Sequence, residues 1–121
     1  MPSEHARRLG VRCVQALGLL LAVGVTATVA ISYGQGRALE ATRAGGTEAA
    51  ARASFWFSPE VETADNAGPA ARFIDSATRR CTSPCVRRLW WVHPVLRDIE
   101  AWSVDIDGDG KVVDSYHWTS P

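Results

Sequence analysis

A surplus of positive charge is missing from this chain: 13 basic residues meet 13 acidic ones, and the formal net charge is zero. The balance is uneven along the sequence. Residues 1–33 carry Arg7, Arg8 and Arg12 against Glu4, whereas the rest carries ten basic and twelve acidic groups. Nucleic-acid binding needs Lys and Arg gathered on one face, so a slightly acidic distal part argues against it. Lysine is nearly absent, with Lys111 alone among the basic residues. Together with abundant Ala this reads as the bias of a high-GC bacterial coding sequence. Catalytic signatures are missing too. No P-loop, HExxH, Ser-His-Asp order or paired-carboxylate arrangement stands out, so neither an enzymatic activity nor a cofactor is expected.

What is present is a long run without charge. Cys13–Tyr33, CVQALGLLLAVGVTATVAISY, holds 21 residues whose only strongly polar side chain is Gln15. As a helix it reaches about 30 Å, the depth of one bilayer core. The basic flank 1–12 before it predicts an N-terminus in the cytoplasm and a C-terminal part across the membrane. Two fates compete. The length favours an uncleaved single-pass anchor in the inner membrane, with the distal part in the periplasm or outside. Val25-Thr26-Ala27 and Thr28-Val29-Ala30 are also acceptable cleavage contexts, and cleavage would release a periplasmic or secreted protein. Cys13 lacks the small preceding residue and preceding apolar run of a lipid-acylation site, since Arg12 stands before it.

Residues 34–53 are polar and rich in Ala and Gly, with Leu39 their only large apolar residue. The expectation is a partly helical tether that buries no core. Residues 54–121 then form one small exported domain. Its opening Ser-Phe-Trp-Phe reads as a strand, with an aromatic contact at a membrane interface as the rival reading. Asp65, Asn66 and Pro69 signal a helix start. Ala70, Phe73, Ile74, Ala77 and Cys81 then fall on one helical stripe, predicting an amphipathic helix. Val86–Val95 reads as a strand with Leu89, Trp91 and His93 on one side and Trp90 and Val92 on the other.

Ala101–Trp118 reads as a hairpin, for which two registers compete. A two-residue Asp109-Gly110 turn pairs Trp102 with His117. A three-residue Gly108–Gly110 loop, with Gly110 left-handed, pairs Ile106 with Val112 and Trp102 with Tyr116. The second is preferred, because it collects Trp102, Val104, Ile106, Val112, Tyr116 and Trp118 on one face. The fold class expected is α+β: an N-terminal transmembrane helix, a polar tether, and one amphipathic helix packed on an antiparallel β-meander or hairpin.

Four residue groups merit a chemical reading. Cys81 and Cys85 can meet across the Thr82-Ser83-Pro84 turn, and an exported location permits a disulfide between them. Asp105, Asp107 and Asp109 with Gly110 resemble half of a calcium loop. The acid needed at its twelfth position is replaced by Tyr116, so a metal there is not expected. A zinc site from Cys81, Cys85, His93 and His117 has suitable ligand types but no compact spacing, and is disfavoured. Arg79, Arg80, Arg87 and Arg88 bracket the Cys turn, with Trp90 and Trp91 beside them. This cluster is the expected surface for a protein or envelope partner.

Overall fold

A computed structural model describes residues 3–73 and 80–120. It shows an α+β protein with elements in the order α1 (Glu4–Ala41), α2 (Glu48–Ser54), β1 (Glu60–Glu62), α3 (Ala70–Phe73), β2 (Arg87–Val92), β3 (Glu100–Ile106) and β4 (Val112–Thr119). The chain divides into two compact units, Met1–Ala30 and Ile31–Pro121.

The first unit consists of the greater part of α1. Its apolar residues are exposed all round, from Leu9 to Val29, and the helix is long and apolar enough to cross a membrane. A helix apolar on every side needs an apolar surrounding, which water does not supply.

The second unit is built on a four-stranded antiparallel sheet in the sequential order β1-β2-β3-β4. The alternation read along β2 holds. Leu89 and Trp91 enter one core and Trp90 another, on the opposite face of the sheet. The first face gathers Leu89, Trp91, Trp102, Val104, Ile106 and Val112. It is covered by Ala38 at the end of α1, Ala51 of α2, and Phe55. Phe55 stacks on Trp91 with ring centroids 3.9 Å apart. Such a pair contributes about 0.5–1.5 kcal/mol beyond its burial. The second face holds Trp90, Ala101 and Trp118, against which Ala70 and Phe73 of α3 pack.

Three expectations are corrected here. The stretch 34–53 is not a loose tether. α1 continues to Ala41 with Gln35 and Ala38 buried, and α2 occupies Glu48–Ser54 with Ala51 buried. The connector between them is tied to β4, because Gly45 N–H donates to Val112 O and Val112 N–H to Gly46 O. Ser54-Phe-Trp-Phe is no strand either. Ser54 ends α2, and the strand comes later, at Glu60–Glu62. Of the predicted helix over 70–81, Ala70–Phe73 is helical and faces the sheet, while Ile74 and Ala77 lie outside the described residues.

The third correction concerns register. Ile106 pairs with Val112 as expected, but Trp102 pairs with His117 and Ser103 with Tyr116. The register shifts at Asp105/Ile106, where Asp105 faces Asp114 and Val113 is left as an extra residue. A β-bulge of this kind turns every later side chain to the other face. Tyr116 and Trp118 therefore belong to the second face, and Trp102 keeps His117 stacked on it at 5.5 Å.

Gly110 takes φ 75° and closes the turn, with its N–H donating to Asp107 O. Asp107 Oδ1 accepts the N–H groups of Asp109 and Lys111. A β-branched side chain at positive φ is strained, so Gly110→Val should cost about 1–3 kcal/mol. Replacing Asp107 by Asn keeps the acceptor, and Asp109→Ser removes only an exposed charge. That double variant should lose less than about 1 kcal/mol. Thermal melts of the full chain in detergent, followed by near-ultraviolet dichroism, check the order.

Candidate partner-binding cleft

Charged residues are rare inside proteins, yet the second face of the sheet buries three of them: Glu62, Arg88 and Asp105. Position on strands puts them together. Glu62 of β1 pairs with Arg88 of β2, and Arg88 with Asp105 of β3. Cross-strand partners share a face, so the side chains meet. Arg88 Nε donates to Asp105 Oδ1 at 2.5 Å and its second nitrogen to Oδ2 at 3.2 Å. Another guanidinium nitrogen lies 3.7 Å from Glu62. Glu62 also accepts from Arg80 Nε at 3.1 Å, Cys81 N–H at 2.7 Å and Trp90 Nε1 at 3.0 Å. The Arg88 guanidinium is further held 5.3–5.8 Å from the ring centroids of Tyr116, Trp118 and Trp90. A cation over aromatic faces gains most where water is excluded.

Above this network opens a cleft of about 620 Å³. One wall is β4, with Tyr116 and Trp118. The other is the turn Thr82-Ser83-Pro84 between Cys81 and Cys85, which a disulfide joins at a Cα separation of 5.4 Å. Arg80 lines it as well. Trp118 is fixed by a 2.6 Å bond from Nε1 to Ser103 Oγ, and Tyr116 by a 2.7 Å bond from its hydroxyl to Asp114. That bond to Asp114 and burial push the Tyr116 hydroxyl up to about 12, so it stays a neutral donor.

The residues read from the sequence as one contact surface are separated by the fold. Trp90 and Trp91 are both buried, on opposite faces, and neither is available as a contact. Arg88 is committed to Asp105, and Arg80 to Glu62 and the Thr63 carbonyl. Arg87 lies on the other side of β2, where it makes two bonds to Glu48 of α2. Arg79 lies outside the described residues. Among the described residues of this set, Arg80 and Arg88 alone reach the cleft.

The acidic turn is likewise dispersed. Asp105 faces Arg88, Asp107 caps the turn backbone, and Asp109 is exposed at its tip. His93 Nδ1 accepts the N–H groups of Val95 and Leu96, which holds the β2–β3 connection. His117 pairs with Glu100 at 2.9 Å on the first face. Among the described residues no group of three or more His, Cys, Asp or Glu is placed to hold a metal ion. No spacing in the sequence marks Glu62, Asp105 and Trp118 as a unit. A charge in an alternating strand reads as solvent-facing unless the face opposite is known.

No protein-family model, curated protein or solved structure matches this chain.

Two carboxylates respond oppositely to their surroundings. Burial raises Asp105 above its ordinary 3.8 despite the pull of Arg88, with Asp114 and Glu62 adding to the rise. The hydrogen bond from Arg87 lowers Glu48 below 4.5. A native carboxyl that holds its proton more tightly makes stability fall as pH rises from about 3.8 through the raised value. A depressed one adds stability above 4.5 that is lost as pH falls through the folded value. Unfolding free energies of wild type, Asp105→Asn and Glu48→Gln across acidic pH should therefore give wild-type-minus-variant differences of opposite slope. Slopes of the same sign would contradict the assignment.

Proposed function

We propose that this is a non-enzymatic, membrane-anchored envelope protein whose exported domain binds a protein partner along β4 and its cleft. The single observation that carries this reading is the cleft opening beside the outer edge of the sheet, where among the described residues no strand pairs with that side of β4 beyond Val112. β4 is an edge strand of eight residues. His93 N–H donates to Glu100 O and Ser120 N–H to Ile99 O, which sets the alternation along β3. By that alternation Ser115, His117 and Thr119 turn their backbone groups outward, away from β3. Asp114 Oδ1 already accepts the Ser115 N–H, leaving the stretch around His117 and Thr119 for an added strand. A side chain of such a strand enters the cleft between Tyr116 and the disulfide turn. The charged groups in the cleft are engaged in fixed pairs, which suits recognition better than proton transfer.

The anchor is supported by the apolar, all-round exposed helix and the arginines before it. A second reading, release by cleavage after Ala30, is favoured by one observation: the folded unit begins at Ile31, so cleavage there leaves it whole. The mass of the mature protein separates the two. In the anchored reading, a periplasm-dependent reporter fused after Pro121 is active and a cytoplasm-dependent one silent. The opposite pair of results refutes the orientation.

The partner surface has its own test. A photo-crosslinking residue in place of Tyr116 or Thr119 should trap one discrete species in intact cells. The same residue in place of Asp109, at the hairpin tip, should not. Equal trapping at all three positions would count against the cleft.

A further inference from the structure

Large apolar side chains left in water need an explanation when they gather at one end of a domain. In the folded unit such a gathering lies around the last residues of the uncharged run. Trp56 lies on α1 at Gly34, so close that a Cβ there would stand 2.1 Å from its ring. Its N–H donates to Gln35 Oε1 at 3.1 Å. Despite this seat, Trp56 is 56% exposed, and the adjoining Phe57 42%. Two residues earlier on α1, Ser32 donates to Glu100 Oε2 at 2.9 Å. That contact brings the 94–99 connection alongside, with Val95 and Ile99 exposed and Arg97 between them. Tyr33, the last residue of the run, is exposed as well. Trp56, with Phe57 next to it, and the connection that leads into Glu100 thus meet α1 at residues 32–35, where the charge-free stretch stops.

We propose that Trp56, Phe57, Val95 and Ile99, with Tyr33, form a lipid-contacting patch that seats the folded unit in the interfacial layer of the bilayer. This rests on the anchored reading above. Tyr and Trp are favoured at that depth because their rings prefer the apolar side while their polar atoms stay hydrated. Arg97 is placed to meet lipid phosphates from the same loop. The occupant is the bilayer and not a protein, because Trp56 seats on α1 at Gly34, next to Tyr33, where the uncharged run ends within this same folded unit.

The tryptophans make the test selective. Trp90, Trp91, Trp102 and Trp118 are 0–8% exposed, so a quencher acting by contact reads Trp56 alone. The full chain is reconstituted into phosphatidylcholine–phosphatidylglycerol vesicles carrying bromine either near the headgroup or deep in the acyl chain. Shallow bromine should lower the emission more than deep bromine. Trp56→Phe, which keeps a ring over Gly34, should abolish the difference while leaving the near-ultraviolet dichroism of the buried tryptophans in place. Phe57→Ser with Ile99→Ser should weaken shallow quenching of Trp56. Protein that floats with vesicles yet shows no shallow quenching, or shows it equally in Trp56→Phe, overturns the patch. Protein that does not float at all overturns the anchor instead.

Discussion

Glu62 has no contact with solvent, and the arrangement of the sheet's second face depends on its being neutralised. It receives donors from three places in the sequence: Arg80 and Cys81 before the disulfide turn, Trp90 on β2, and Arg88 at ion-pair distance. Removing one member of a buried ionic group leaves an uncompensated charge, a loss of about 3–5 kcal/mol in proteins generally. The Cys81–Cys85 turn, closed on itself by the disulfide, is thus held to β1 by hydrogen bonds. Because Arg88 is shared between Glu62 and Asp105, β1, β2 and β3 are joined across their side chains as well as through their ladders. The cleft keeps its shape because both its floor and one wall answer to this carboxylate.

The opposite face follows a different logic, and that difference explains what the sequence disclosed. Binary reading found β2, the hairpin and the α+β class, since large apolar residues recur there at a strand's period. It failed over 34–53 because the residues that pack there are small. Ala38 and Ala51 enter the core by letting Phe55, Trp91 and Trp102 approach the helices closely. Gly34 does the same for Trp56. A scan for large apolar side chains sees only one half of such a contact, and the aromatic half stands elsewhere in the sequence. Phe55 and Trp56 resemble strand residues in sequence for the same reason, their partners being Trp91 and an α1 glycine.

The hairpin failed in a subtler way. Burial of one face normally fixes register, and a single-faced sheet would have gathered Trp102, Tyr116 and Trp118 together. This sheet buries both faces, so the pattern carried less information than it promised. The extra residue at Val113 sends Tyr116 and Trp118 to the polar face, where they enclose Arg88. The candidate site is therefore a product of the bulge. Asp114, beside it, holds the Tyr116 hydroxyl and the Ser115 N–H, which covers part of an edge that would otherwise invite unspecific pairing.

One direction runs along the folded unit, from the exposed apolar end at Ile99 to the acidic turn. Along α1, Ser32 meets Glu100 at the start of β3, and Ala38 joins the core containing Val104 and Ile106. The following connector reaches Val112. The last turns of α1 hence run in the direction of β3 and against that of β4. Thr119 and Ser120 lie at the end beside Ile99, while Val112 and the acidic turn lie at the far end. A strand added at the edge of β4 would run between those two ends of the sheet. Its most accessible pairing sites, His117 and Thr119, lie toward the end beside Ile99, since Gly45 and Gly46 already occupy Val112. That restriction leaves an added strand one end of the edge to start from, which limits the registers it can adopt.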